Sequence, residues 1–96
     1  MEPIYSIVIP AYNEEARIGA TLERVLSFVH EQGWDAEIIV VNDGSRDKTS
    51  DIVRSFAAKD PILHLVENPG NHGKGYSVRN GMLQARGRIV LFSDAD

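Results

Sequence analysis

Apolar residues come along this chain in two rhythms. Four short runs, Ile4 to Ile9, Glu37-Ile38-Ile39-Val40-Val41, Ile62 to Val66 and Ile89-Val90-Leu91-Phe92, are rich in β-branched side chains and barely alternate. That pattern predicts strands, buried on both faces in the first, second and fourth runs, while Ile62 to Val66 is expected to be a strand in which His64 alternates. Between them, Ile18, Leu22, Val25, Leu26 and Val29 recur at helical spacing, as do Ile52, Val53, Phe56 and Ala57, and then Val78, Met82 and Ala85. The punctuation fits. Pro10, which lacks an N–H, is expected to stop the first strand; Asn13 is expected to cap the first helix, with Glu14 and Glu15 in its first turn, and Gly33 to end it. Asp47 is the expected cap of the second helix and Asp60-Pro61 its breaker, while the third runs from about Tyr76 to Arg86 and Gly87 releases the last strand.

The predicted order is β-α-β-α-β-α-β, with no internal repeat. Strands joined by helical crossovers run parallel, and right-handed crossovers bring their carboxyl ends to one edge, where ligands bind near the switch in strand order. The fold class is α/β, with expected strand order 3-2-1-4 and a cleft between strands one and four. Tyr12, Asn13 and Glu14 follow strand one, Asp43 follows strand two, a glycine-rich loop with Lys74 follows strand three, and Asp94 and Asp96 follow strand four. Four exits are thus expected to converge on one rim.

Composition narrows the function. Ninety-six residues, 43% hydrophobic and 25% charged, make one ordinary globular domain. A formal charge of −4 argues against nucleic acid, whose phosphates are held by excess Lys and Arg. Cysteine is absent, which excludes disulfides, thiolate metal sites and thiol nucleophiles. Met1-Glu2-Pro3 has no basic leader character, and no apolar run approaches the roughly 18–20 residues of a membrane span, so a cytoplasmic location without a membrane segment is expected.

The candidate chemistry sits in loops. Asp94-Ala95-Asp96 places two carboxylates one residue apart. Like charges about 4 Å apart repel by roughly 4 kcal/mol at a partly buried site, so a cation is expected between them. An all-oxygen donor set suits Mg²⁺ or Mn²⁺. Asn42-Asp43-Gly44-Ser45 reads as a turn whose carboxylate can accept an imide N–H from a base. Asn68-Pro69-Gly70-Asn71-His72-Gly73-Lys74-Gly75 can wrap a phosphate with backbone amides while Lys74 neutralises it. This loop is not a P-loop, because the match fails at Asn68 and again at Gly75, nor a dinucleotide fingerprint, because its glycines follow the third strand with the wrong spacing. Gly70-Asn71-His72-Gly73 matches the GxxG of a KH domain, which the acidic charge and the β/α order argue against. His72 is the one histidine expected near a ligand. Arg79 and Arg86 are expected on the outer face of the third helix, and Gly75 and Gly81 are expected to permit close helix–sheet packing.

Taken together, Ile9 to Glu15, Val41 to Thr49, Gly73-Lys74-Gly75 and Asp94-Ala95-Asp96 resemble the nucleotide-binding half of glycosyltransferase family 2. Asn71 to Gly81 with the terminal Asp-x-Asp looks most like the dolichyl-phosphate glucose and mannose synthases within it. The resemblance implies a Rossmann-like sheet forming half of a GT-A fold. It implies that Pro10, Ala11, Tyr12 and Glu14 line a nucleoside pocket, that Asp43 bonds the base, and that Lys74 and Gly75 lie beside it. Asp94 and Asp96 would engage the ribose and diphosphate, one directly and one through Mg²⁺ or Mn²⁺, with Ala95 between them also at the nucleotide. A UDP- or GDP-sugar donor is implied, with inverting transfer to an acceptor such as a polyprenyl phosphate. Members of the family continue past the Asp-x-Asp, so residues 1–96 are expected to be a truncated half, its catalytic base outside this chain and its parent membrane-associated. Strand four is then expected to expose an edge that pairs with a second copy. A second class stays open, a self-associating α/β module without ligand affinity; a third, a phosphoacceptor receiver, expects an acidic pair after strand one, a lone Asp after strand three and a Lys after a fifth strand, of which only Glu14-Glu15 is present.

Overall fold

The computed structural model describes residues 2–95. Its elements are β1 (Tyr5–Ala11), α1 (Ile18–Gln32), β2 (Ala36–Asn42), α2 (Thr49–Lys59), β3 (Leu63–Glu67), α3 (Lys74–Gln84) and β4 (Ile89–Phe92). The strands form one parallel sheet in the order β3-β2-β1-β4, as the crossover argument requires.

Side-chain alternation splits the core in two. Ile7, Ile9, Ala11, Ile38, Val40 and Leu63 face one side, where Ile18, Leu22 and Val29 of α1 and Val53 of α2 cover them. Val8, Ile39 and Val41 face the other side, beneath α3. The chain changes face after β3 because β4 must reach the far side of β1, and a right-handed crossover can do so only over the opposite surface. The rim between β1 and β4 is therefore the switch point.

Several boundaries differ from expectation for identifiable reasons. Pro10 does not stop β1: it pairs with Val41, and the strand runs on to Ala11. Bonds from Ile89 N–H to the Ile4 carbonyl and from Ser93 N–H to the Val8 carbonyl show that even-numbered residues of β1 face β4. Pro10 shares that side, and in this register its absent N–H would have met the Ser93 carbonyl, so the β1–β4 ladder ends at Val8 and Phe92 while the β1–β2 ladder runs on to Ala11. Helix α1 begins at Ile18, not beside Asn13. Asn13 takes the left-handed conformation (φ 50°), and its side-chain oxygen accepts the Arg46 N–H at 2.9 Å, so it braces a neighbouring loop instead of capping. Glu14 and Glu15 accordingly precede the helix. Gly33 ends α1 in the left-handed conformation (φ 65°), as anticipated. Asp47 does act at the start of α2, accepting the Thr49 N–H at 3.0 Å.

Helix α3 starts two residues early, at Lys74, and its inward face is only partly the expected one: Ala85, just past its end, packs against Val8, Ile39 and Val41 as anticipated and Val78 is half-buried, but the centre of the contact lies elsewhere. Ser77 and Gly81 are buried, whereas Met82 is 53% exposed. A Cβ at Gly81 would lie 2.3 Å from Val8 Cγ1, so backbone meets sheet there and the flanking large residues are rotated outward. Gly75 has open space around it and no packing role. Strand β4 is not buried on both faces: Ile89, Leu91 and Phe92 are 46%, 37% and 49% exposed, because it is the sheet's edge. Arg86 lies past α3, and its backbone N–H donates to buried Glu37 at 2.7 Å, while Arg79 is exposed on the helix.

Candidate functional site

A cleft of about 400 Å³ opens at the switch point, lined by Pro10, Ala11, Tyr12, Glu14, Asp43, Asn71, Gly73, Lys74, Ser77, Asp94 and Ala95. That volume lies within the range of ligand pockets. Every residue the sequence singled out for the nucleotide is on this rim except Gly75. Asp96 lies outside the described residues. Asn71, Gly73 and Ser77 complete the lining; Ser77 and Gly81, small residues at i and i+4, are the sequence signature of the inward face that a search for large apolar residues passes over.

Asp43 is the centre of the cleft wall. Its carboxylate, 4% exposed, accepts four hydrogen bonds: from Asn68 Nδ2 and His72 N–H at 2.8 Å each on Oδ1, and from Gly73 N–H at 2.8 Å and Asn71 Nδ2 at 3.2 Å on Oδ2. Four donors match the roughly four acceptor positions of an ionised carboxylate. Burial pushes its pKa up, but the donors from His72, Asn68 and Gly73 outweigh burial and hold it below the ordinary aspartate value. The glycine loop thus wraps an anion with two backbone amides, but the anion is the protein's own. A base imide could reach Asp43 only by displacing a donor, and Asn71 Nδ2 makes the longest of these bonds.

Other contacts lock the rim. Buried Asn68 donates to Ser77 Oγ at 2.9 Å and accepts from Asn80 at 2.8 Å. Gly44 (φ 72°) has no room for a side chain, since a Cβ would stand 2.7 Å from the Gly70 carbonyl carbon. Asn13 N–H donates to Ser45 Oγ and Glu14 N–H to Thr49 Oγ1, both at 2.9 Å, which joins the loops after β1 and β2. The Glu14 carboxylate pairs with Arg17. Tyr12 is 46% exposed at the mouth and offers a ring face. His72 turns away: Nε2 bonds the Pro69 carbonyl at 2.6 Å and the ring stacks on Tyr76. No buried side-chain nitrogen or oxygen among the described residues lacks a partner.

At the mouth, Lys74 Nζ stands 2.9 Å from Asp94 Oδ1, with both side chains largely exposed. A cation already meets this carboxylate, and its all-oxygen chemistry fits Mg²⁺ or Mn²⁺. Among the described residues no group of three His, Cys, Asp or Glu converges on a metal position. A divalent ion there would need ligands beyond the described residues, and water and phosphate oxygens commonly complete the shell of Mg²⁺.

Residues 6–96 match the Glycosyl transferase family 2 profile. This chain belongs to glycosyltransferase family 2. It is 41% identical over 96 residues to dolichyl-phosphate beta-glucosyltransferase ALG5A of Trichomonas vaginalis, covering 95% of this chain and 30% of the relative. It is 43% identical over 101 residues to the Drosophila melanogaster dolichyl-phosphate beta-glucosyltransferase, again covering 95% and 30%. Among solved structures, the mannosyltransferase PcManGT of Pyrobaculum calidifontis, in complex with GDP-Man and Mn²⁺, superposes with a TM-score of 0.81 at 33% identity, covering 100% of this chain and 28% of that one. TarS 1-349 of S. aureus, in complex with UDP-GlcNAc, does so with a TM-score of 0.80 at 31% identity, covering 100% and 27%. The family is one of enzymes, the fold is that of the GT-A glycosyltransferases, and the chain spans less than a third of the length of these relatives.

Proposed function

We propose that this chain forms the donor-binding part of an inverting glycosyltransferase that moves a hexose from UDP or GDP to a polyprenyl phosphate. The observation that carries this reading is the cleft at the β1–β4 switch point, where residues from all four strand exits line one cavity. The named ligands of the structural relatives, GDP-Man and UDP-GlcNAc, support the donor class. The dolichyl-phosphate glucosyltransferases support the acceptor class.

In this reading Pro10, Ala11, Tyr12 and Glu14 hold the nucleoside, and Asp43 meets the base edge in exchange for Asn71. Lys74 leaves Asp94 to meet the diphosphate, with Gly75 at the helix start beside it. Asp94 and Asp96 would bind Mg²⁺ or Mn²⁺, which when present neutralises charge on the departing diphosphate. An acceptor phosphate oxygen forms its bond to the anomeric carbon as the bond to the diphosphate breaks, and that electron pair leaves with the nucleotide. A single displacement inverts the centre. An acceptor that is already anionic needs no strong base from the protein. Such an acceptor is lipid-borne, so transfer would take place at a membrane surface; no described helix is long and apolar enough to cross one. The exposed β4 edge is proposed to pair with a second copy.

Calorimetric titration of UDP and GDP with and without Mn²⁺ tests the donor reading. One nucleotide should bind in a Mn²⁺-dependent manner, and Asp94→Asn with Asp96→Asn should abolish that dependence. Metal-independent binding, unchanged in the double variant, would contradict it.

A further inference from the structure

The residue between the two terminal carboxylates is held from across the molecule. Ala95 is 4% exposed and packs into the core on the α1 side of the sheet. Its carbonyl accepts a hydrogen bond from Thr21 Oγ1 at 2.5 Å, from a residue 74 positions earlier in the chain. Thr21 is itself 4% exposed and ends the first turn of α1.

This bond stands where backbone support stops. Among the described residues the Ser93 N–H to Val8 carbonyl bond is the last backbone bond that ties this segment to β1, and residues 94 and 95 lie beyond the end of β4. Asp94 accepts two exposed bonds, from Lys74 Nζ to its side chain and from Ser93 Oγ to its carbonyl at 3.4 Å. A buried hydroxyl–carbonyl bond is therefore the firm anchor of the turn. A helical threonine commonly turns its hydroxyl back to the carbonyl four residues earlier. Thr21 instead aims at Ala95, and Arg24 Nη2 approaches the same oxygen at 3.5 Å.

We propose that Thr21 is a positioning residue for the acidic turn. By holding the Ala95 carbonyl against α1, it tethers the residue that follows Asp94 and so restricts the turn that carries the Asp94 carboxylate to the cleft mouth, preorganising that carboxylate for a cation. The inference rests on the donor-site reading for its purpose, but not for its geometry.

The test compares Thr21→Val, which keeps the shape and removes the hydroxyl, with Thr21→Ser, which restores it. In the metal-free 96-residue chain, ¹⁵N order parameters at Asp94 and Ala95 should fall from about 0.85 towards about 0.6 in Thr21→Val and recover in Thr21→Ser, with β2 unchanged. Mn²⁺ affinity in the presence of UDP or GDP, read from the electron paramagnetic resonance of free Mn²⁺, should weaken about tenfold in Thr21→Val and less than about twofold in Thr21→Ser, as loss of one buried hydrogen bond predicts. Unchanged order at Asp94 and Ala95 in Thr21→Val would overturn the proposal, as would equal Mn²⁺ affinity in all three proteins. If the wild type binds neither nucleotide nor Mn²⁺, the donor reading fails, and the order parameters still decide whether Thr21 holds the turn.

Discussion

At the scale of single residues, Asp43 carries more of the site than its place in a short turn suggests. An ionised carboxylate with four donors binds them about twice as strongly as a neutral group would. In Asp43→Asn an amide donor replaces one acceptor oxygen and confronts the N–H groups of His72 or Gly73, at a cost of about 2–3 kcal/mol. The pH dependence follows in sign. The folded pKa of Asp43 lies below its unfolded value, so the unfolded chain binds more protons, and this stabilisation is complete above the ordinary aspartate range and lost as pH falls below about 4. Glu37, Asp47, Asp60 and Glu67 are lowered as well. Burial is the main opposing influence at Glu37 and Asp47, whereas hydrogen bonds from His30 and Asn42 lead at Asp60 and Glu67. Urea midpoints should drop from pH 7 to pH 3, and Asp43→Asn should start lower and show a shallower drop. Parallel curves for the two proteins would contradict this account.

At the scale of elements, what sequence reveals depends on how far away each residue's partner lies. The strand order, the stop of α1 at Gly33 and the break of α2 before Pro61 follow from local chemistry and crossover rules, and all appear as expected. The start of α1 was hidden, because Asn13 has the right chemistry for a cap but finds its partner at Arg46, on a different loop. The centre of the inward face of α3 was hidden because it is set by a missing side chain. The site residues were placed on one rim by topology alone, yet the sequence offered no hint that the glycine loop's amides would turn to Asp43. The packing of α3 yields a paired prediction. In Gly81→Ala the new methyl meets stiff, buried Val8, and overpacking of about 1–3 kcal/mol exceeds the gain in helix propensity of about 1 kcal/mol. Gly75→Ala faces open space within the same helix and should stabilise by about 0.5 kcal/mol. Urea denaturation of both variants checks the contrast, and equal effects would show that α3 does not sit on the sheet as described.

At the scale of the whole molecule, the sheet has a protected middle and an open side. All seven residues of β2 are buried, while β4 leaves three large apolar side chains partly in water. In a parallel strand alternate residues point to opposite neighbours, so Val90 and Phe92 direct backbone groups away from β1 and offer them to another strand. Sedimentation velocity should show concentration-dependent dimers, and Phe92→Lys should shift the population to monomers. A strict monomer at high micromolar concentration would rule out pairing at this edge.

The registry of β4 beside β1 also bears on how occupancy and folding are linked. The acidic turn becomes part of the cleft only when β4 docks on β1, the pairing of strands furthest apart in residues 1–96. Anything that grips both walls at once acts as a clasp, favouring the docked β4 over the detached one by mass action. Amide exchange along Ile89–Phe92 should therefore slow on saturation with nucleotide and Mn²⁺, while the interior of β2 keeps its pace.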